Sequence, residues 1–173
     1  ANGIDSSVVE PNPAQAKGIG NSTTMPTDAL SIEDMKPVLL KLCESVCARL
    51  RKAHMYAGTI TVEIKYSNFH SCSHQIALPS PDYSSTVIYE TSLSLLQELW
   101  NGTPVRLLGV RATRLTDETA PIQLDLFSYQ EHTGQTEKNR RLDKTIDAIR
   151  RKYGEGAIMR GSLLSHTDTH SSN

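Results

Sequence analysis

The chain has 173 residues, 38% of them hydrophobic, and a formal net charge of −1 at pH 7. That apolar fraction supports one ordinary domain with additional elements and excludes wholesale disorder. No apolar run is long enough to span a bilayer, and the polar start Ala1–Asp5 carries no secretory signal.

Residues 1–16, with Pro11 and Pro13, show no hydrophobic period and read as a linker. A first strand is predicted over Lys17–Met25, where β-branched residues begin to alternate. Ser31 followed by Asp34 resembles a capping box with a short acid. The helix it opens carries Leu39, Leu42, Cys43, Val46 and Leu50 at helical spacing, with Cys43 and Cys47 as small core residues. Pro37 implies either a separate first turn or a kink. Arg49, Arg51 and Lys52 suit the negative end of the helix dipole. Thr59–Tyr66 alternates Ile60, Val62 and Ile64 with Thr61, Glu63 and Lys65, the pattern of a strand buried on one face only. Ser73–Leu78 is its expected hairpin partner, ending at Pro79. A second helix, capped by Ser84 or Ser85, turns Ile88, Leu95, Leu96 and Leu99 inward and stops at Asn101–Gly102. Pro104–Thr116 is the last expected strand.

This order, β-α-β-β-α-β, predicts an α+β fold: a four-stranded sheet over residues 17–116 with both helices on one face and the other face open. Residues 117–137 carry five acids and no Lys or Arg, and read as an acidic connector. Residues 138–164 read as a basic C-terminal helix and extension, with Leu142, Ile146, Ile149 and Tyr153 as one apolar stripe stopped by Gly154. Residues 165–173 are expected to be a disordered tail. Three cysteines, an odd and low count, agree with a reducing compartment. The chain does not begin with Met and reads as a piece of a longer protein.

The motifs for chemistry are few. His70, Cys72 and His74 share one strand parity, but alternate side chains stand roughly 6.6–7 Å apart. Zinc donors must lie within about 4 Å of one another, so no metal site is expected. Gly18-Ile-Gly20 lacks the third glycine of a dinucleotide fingerprint. No nucleophile elbow, phosphate loop or paired carboxylates stand out, so the chain by itself is not expected to be an enzyme and needs no cofactor. The open face offers Lys65, Ser67, Ser71, Ser73, Arg106 and Arg111, with Gly18 and Gly20 baring backbone N–H groups. These are phosphate-contacting types, which position a duplex without reading its sequence. Arg106 and Arg111 are five apart, so strict alternation separates them unless a bulge, expected near Gly109, intervenes. In the connector, Gln123-Leu124-Asp125-Leu126-Phe127 sets two leucines and a Phe between polar flanks, a segment fit to fill a pocket on another protein.

In register, Lys17–Gly20, Val62–Phe69, Ser73–Gln75, Val105–Arg111, Gln123–Phe127 and Leu142–Gly154 resemble the C-terminal part of bacterial Y-family translesion DNA polymerases, from about residue 1 to about Leu164. The resemblance implies that residues 1–16 end the thumb and lead into a little-finger domain that grips template–primer duplex through its backbone. It implies DNA contacts at Lys17, Gly18, Gly20, Ser73, Arg106 and Arg111; Lys65, Ser71 and His74 complete the expected contact set. His74 stands where the family often has Arg, and Asn21 where a charged residue is common, which lowers the positive charge of the gripping face. Gln123, Leu124, Asp125, Leu126 and Phe127 match the peptide that holds the sliding clamp, the beta subunit. The parent would be a cytoplasmic DNA-directed DNA polymerase, a nucleotidyltransferase for lesion bypass and DNA repair, using Mg2+ held by palm carboxylates. The fragment is expected to be monomeric and free of membranes. An adaptor that uses the 123–127 peptide without DNA is the alternative.

Overall fold

The computed structural model describes residues 18–117, 129–154, 156–158 and 161, with backbone alone over 129–136. The elements run β1 (Gly18–Ala29), α1 (Ile32–Lys52), β2 (Met55–Tyr66), β3 (Ser71–Asp82), α2 (Ser85–Leu99), β4 (Val105–Thr113), β5 (Thr116–Asp117) and α3 (Tyr129–Tyr153). The sheet is antiparallel with order β1-β4-β2-β3, and the short β5 extends the far end of β2. This is the expected α+β order with a fifth, two-residue strand added. The addition follows from Arg114, whose left-handed φ of 50° breaks the last strand before it resumes against Met55 and Tyr56.

Alternation decides which face is core. On β2, Ile60, Val62 and Ile64 are fully buried, while Glu63 is exposed and Thr61 and Lys65 are partly so. The buried set packs against α1 and α2, whose Leu39, Cys43, Val46, Leu50, Ile88 and Leu96 are equally inaccessible. Each such large side chain contributes about 1.5–3 kcal/mol on burial. Burial pushes the Cys43 thiol up to about 12 and raises Cys47 well above its ordinary value too, so neither offers a thiolate near neutrality.

Helix α1 begins as the sequence predicts: the Ser31 hydroxyl accepts from Asp34 N–H at 3.2 Å, and the Asp34 carboxylate accepts from Leu30 N–H at 3.1 Å. Pro37 lies inside this one continuous helix, not at its first position. The absent N–H removes one rung only, and the apolar face that follows carries the helix through. Helix α2 has Ser84 at its cap, but that side chain makes no capping bond.

Helix α3 starts at Tyr129, so the helix takes in much of what the sequence reads as connector. It docks through its polar face. Asp143 is 2% exposed, whereas Leu142 is 52% and Tyr153 67% exposed. Arg51 of α1 holds Asp147 by two bonds, at 2.5 and 2.9 Å, and lies 3.6 Å from Asp143. Arg140 meets Asp82 at 3.2 Å and Arg150 meets Glu44 at 2.8 Å. The Asp143 carboxylate accepts from Ser85 N–H at 2.8 Å, supplying to α2 the cap that Ser84 does not make. Of the sequence stripe, Leu142 and Tyr153 therefore stay exposed, while Ile146 and Ile149 are only half-buried beside the polar contacts.

Candidate nucleic-acid interface

The site is built from strand parity. On β2, Thr61, Glu63 and Lys65 face away from the helices. Their partners on β3 are Gln75, Ser73 and Ser71, and on β4 Arg111, Gly109 and Leu107. Across β1, Gly18 pairs with Thr113, Gly20 with Arg111 and Ser22 with Gly109. One open face thus collects Gly18, Gly20, Lys65, Ser71, Ser73 and Arg111.

Arg106 joins them through a register shift. Lys65 pairs with Leu107 but Tyr66 with Val105, so a bulge leaves Arg106 unpaired between them. The bulge is at Arg106 and not at Gly109, where the ladder is regular. The Arg106 guanidinium lies 5.4 Å from the Phe69 ring centroid and the Lys65 ammonium 5.1 Å from it, which puts both cations at the same corner of the open face.

The glycines serve close approach. A Cβ on Gly20 would sit 3.3 Å from Arg111 Cβ, and one on Gly109 3.2 Å from Ser22 Cβ. Without them the centre of the face is flat and Arg111 can lie across β1. A shallow cleft of about 630 Å³ follows this surface, lined by Gly18, Gly20, Thr61, Ser73, Gly109 and Arg111. Arg49 also lines it, donating to the Gly20 carbonyl at 2.6 Å from the end of α1. The sequence assigns Arg49 only to the helix dipole; nothing in its spacing shows that α1 ends beneath the edge strand.

His74 is not brought to this face. It pairs with Val62, so it points to the helix side, where Nε2 lies 3.3 Å from Glu98 of α2. The physical reason is parity: Ser73 and His74 are neighbours on one strand, and only one can stand on the open face. Asn21 likewise turns toward α1, donating to the Ser45 hydroxyl at 3.1 Å. Lys17 and the peptide Gln123–Phe127 lie outside the described residues. Among the described residues, Lys65, Arg106 and Arg111 enter no ion pair, and one acid, Glu63, stands among them. Among the described residues, too, no three metal-capable side chains come together, and no helix is long and apolar enough to cross a membrane.

Known proteins are similar to this chain in sequence and in fold. The chain is 37% identical to DNA polymerase IV of Clostridium acetobutylicum over 164 residues, which is 95% of this chain and 40% of that protein. It is 35% identical to DNA polymerase IV 2 of Halalkalibacterium halodurans over 170 residues, again 95% of this chain and 40% of the relative. The chain therefore spans well under half the length of these relatives. Among solved structures, the fold resembles the little-finger domain of PolIV in its complex with the beta-clamp processivity factor. There the TM-score is 0.50 at 22% identity, covering 63% of this chain and 97% of that one. It also resembles Dbh DNA polymerase in a post-insertion binary complex, with a TM-score of 0.51 at 20% identity, covering 58% of this chain and 29% of that one. A model of the impB/mucB/samB family C-terminal domain matches residues 16–126, and the chain belongs to that family.

Proposed function

We propose that this chain is the DNA-gripping and clamp-tethering region of a translesion DNA polymerase. The observation that carries the reading is the gathering of Lys65, Arg106 and Arg111 with Gly18, Gly20, Ser71 and Ser73 on one open sheet face. Cations and small donors on a flat surface fit phosphate oxygens. A paired stacking platform of the kind that reads unpaired bases is not formed on this face: Phe69 stands at its corner, while Tyr66 turns to the helices, buried, its hydroxyl donating to Leu99 C=O at 3.2 Å. Binding would hold duplex by its backbone and tolerate altered bases.

The second hand is the peptide 123–127. Strand β5 ends at Asp117 and α3 begins at Tyr129, so in sequence the peptide falls between two elements held to the body. Leu126 and Phe127 would enter an apolar clamp pocket, with the Gln123 amide bonding at its rim. Burying both yields about 3–6 kcal/mol, short of the roughly 8 kcal/mol of a micromolar complex. Joint engagement of DNA and clamp raises occupancy through effective concentration. A PolIV little finger of like fold, solved bound to the beta clamp, supports the pairing. Nucleotidyl transfer and its magnesium ions would belong to the catalytic part of a cytoplasmic parent polymerase.

Binding to duplexes of unrelated sequence, titrated with salt, tests the reading. Log K should fall linearly with log salt, and Arg111→Ala should reduce the slope by about 0.9. A flat salt response would leave the adaptor reading in its place.

A further inference from the structure

Phe69 is out of keeping with the fold around it. It sits in the β2–β3 turn, where Phe69 N–H donates to Tyr66 C=O at 2.9 Å and Tyr66 N–H donates to His70 C=O at 2.9 Å. Its φ is +68°, the left-handed region that such turns usually fill with Gly or Asn. The residue is 63% exposed, so it adds little to the core. Folding alone gives no reason for an aromatic ring in a strained, solvated place.

The ring's neighbours give one. Lys65 from β2 and Arg106 from the β4 bulge converge on it, at 5.1 and 5.4 Å from the centroid. Two like charges brought to one corner repel, and long cationic side chains in water spread over many rotamers. The negative face of an aromatic ring offsets the first effect and restricts the second. A guanidinium held by its face keeps its N–H edges free for phosphate.

We infer that Phe69 is a positioning residue, which gathers Lys65 and Arg106 into one composite phosphate site at the corner of the open face. This rests on the phosphate-gripping reading above. The ligand is a phosphodiester of duplex DNA, and the ring itself touches cations, not bases.

The test uses the whole chain and a fluorescent 20-base-pair duplex, with anisotropy measured across a salt series. Phe69→Leu keeps an apolar side chain but no ring. Phe69→Gly suits the left-handed backbone, so its melting temperature should not fall. Both should bind about fivefold more weakly, the order expected from two exposed cation–ring contacts, with the salt slope unchanged because no charge is removed. Phe69→Tyr should bind like the parent chain. Lys65→Ala should instead lower the slope by about 0.9. If Phe69→Leu binds the duplex as tightly as the parent, the inference is overturned. It is also overturned if the loss appears only on duplexes with an unpaired end, since the ring then stacks on a base. A parent chain with no salt-dependent binding would refute the phosphate grip itself, a separate outcome from either.

Discussion

Asp143→Ala is the substitution that most sharply probes how α3 is held. The carboxylate is buried and accepts from Ser85 N–H at 2.8 Å, at the first turn of α2, where Ser84 offers no side-chain cap. Removing it leaves a buried N–H without its acceptor, a loss of about 1–3 kcal/mol. The favourable charge at the helix start contributes about 0.3–1 kcal/mol more. Arg51 keeps its two bonds to Asp147, so the larger penalty of an orphaned buried cation does not apply. Together these come to about 1.3–4 kcal/mol. For a domain of this size that lowers the melting temperature by about 3–16 °C. Thermal and urea melts measure it, and amide exchange along α3 should quicken in the same variant. Asp143→Asn retains an acceptor oxygen and should lose less. Stability within about 0.5 kcal/mol of the parent, with α3 exchange unchanged, would refute this account of docking.

In the peptide 123–127, proposed to hold the clamp, Leu126→Ala with Phe127→Ala should abolish retention on a clamp column and leave the melting temperature unchanged; a lowered melting temperature would show those residues to be core. Cys72, partly exposed on β3, should react with a thiol reagent at pH 8, while Cys43 and Cys47 should react only on unfolding. Their raised folded values also set a sign: the native state keeps thiol protons that the unfolded chain gives up above its ordinary value of 9.0, so stability should fall from about pH 9 toward 12. Replacing Cys43 by Ala should shrink that alkaline loss. Arg49→Ala frees the Gly20 carbonyl at the sheet edge, and should weaken duplex binding if the β1 side of the cleft carries phosphate. Unchanged affinity would confine the grip to Lys65, Arg106 and Arg111.

Elements with one strong period were legible from the sequence. The alternation of Ile60, Val62 and Ile64 fixed the buried face of β2, and the Leu39-to-Leu50 spacing fixed α1. What was not legible depends on contacts between distant residues. The bulge at Arg106 arises where β4 meets β1 and β2 together, and no local signal separates it from one at Gly109. Parity errors follow from the same source: His74 and Ser73 look alike as polar strand residues until the register with Val62 and Glu63 is known. The docking of α3 was hidden most deeply. Its outward stripe of Leu142 and Tyr153 has the look of a core face. The real contact is a set of Asp and Arg residues that read as a solvated surface until Arg51, Glu44 and Asp82 are placed opposite them.

The central claim is that the open sheet face, and not the helical side, holds duplex DNA. Mapping amide shifts of the labelled chain on addition of a random-sequence duplex tests it most directly. The account predicts shifts at Gly18, Gly20, Lys65, Ser71, Ser73, Gly109 and Arg111, with His74, Glu98 and α3 unmoved. Shifts concentrated on α3 and the end of α1, with the sheet face silent, would contradict it.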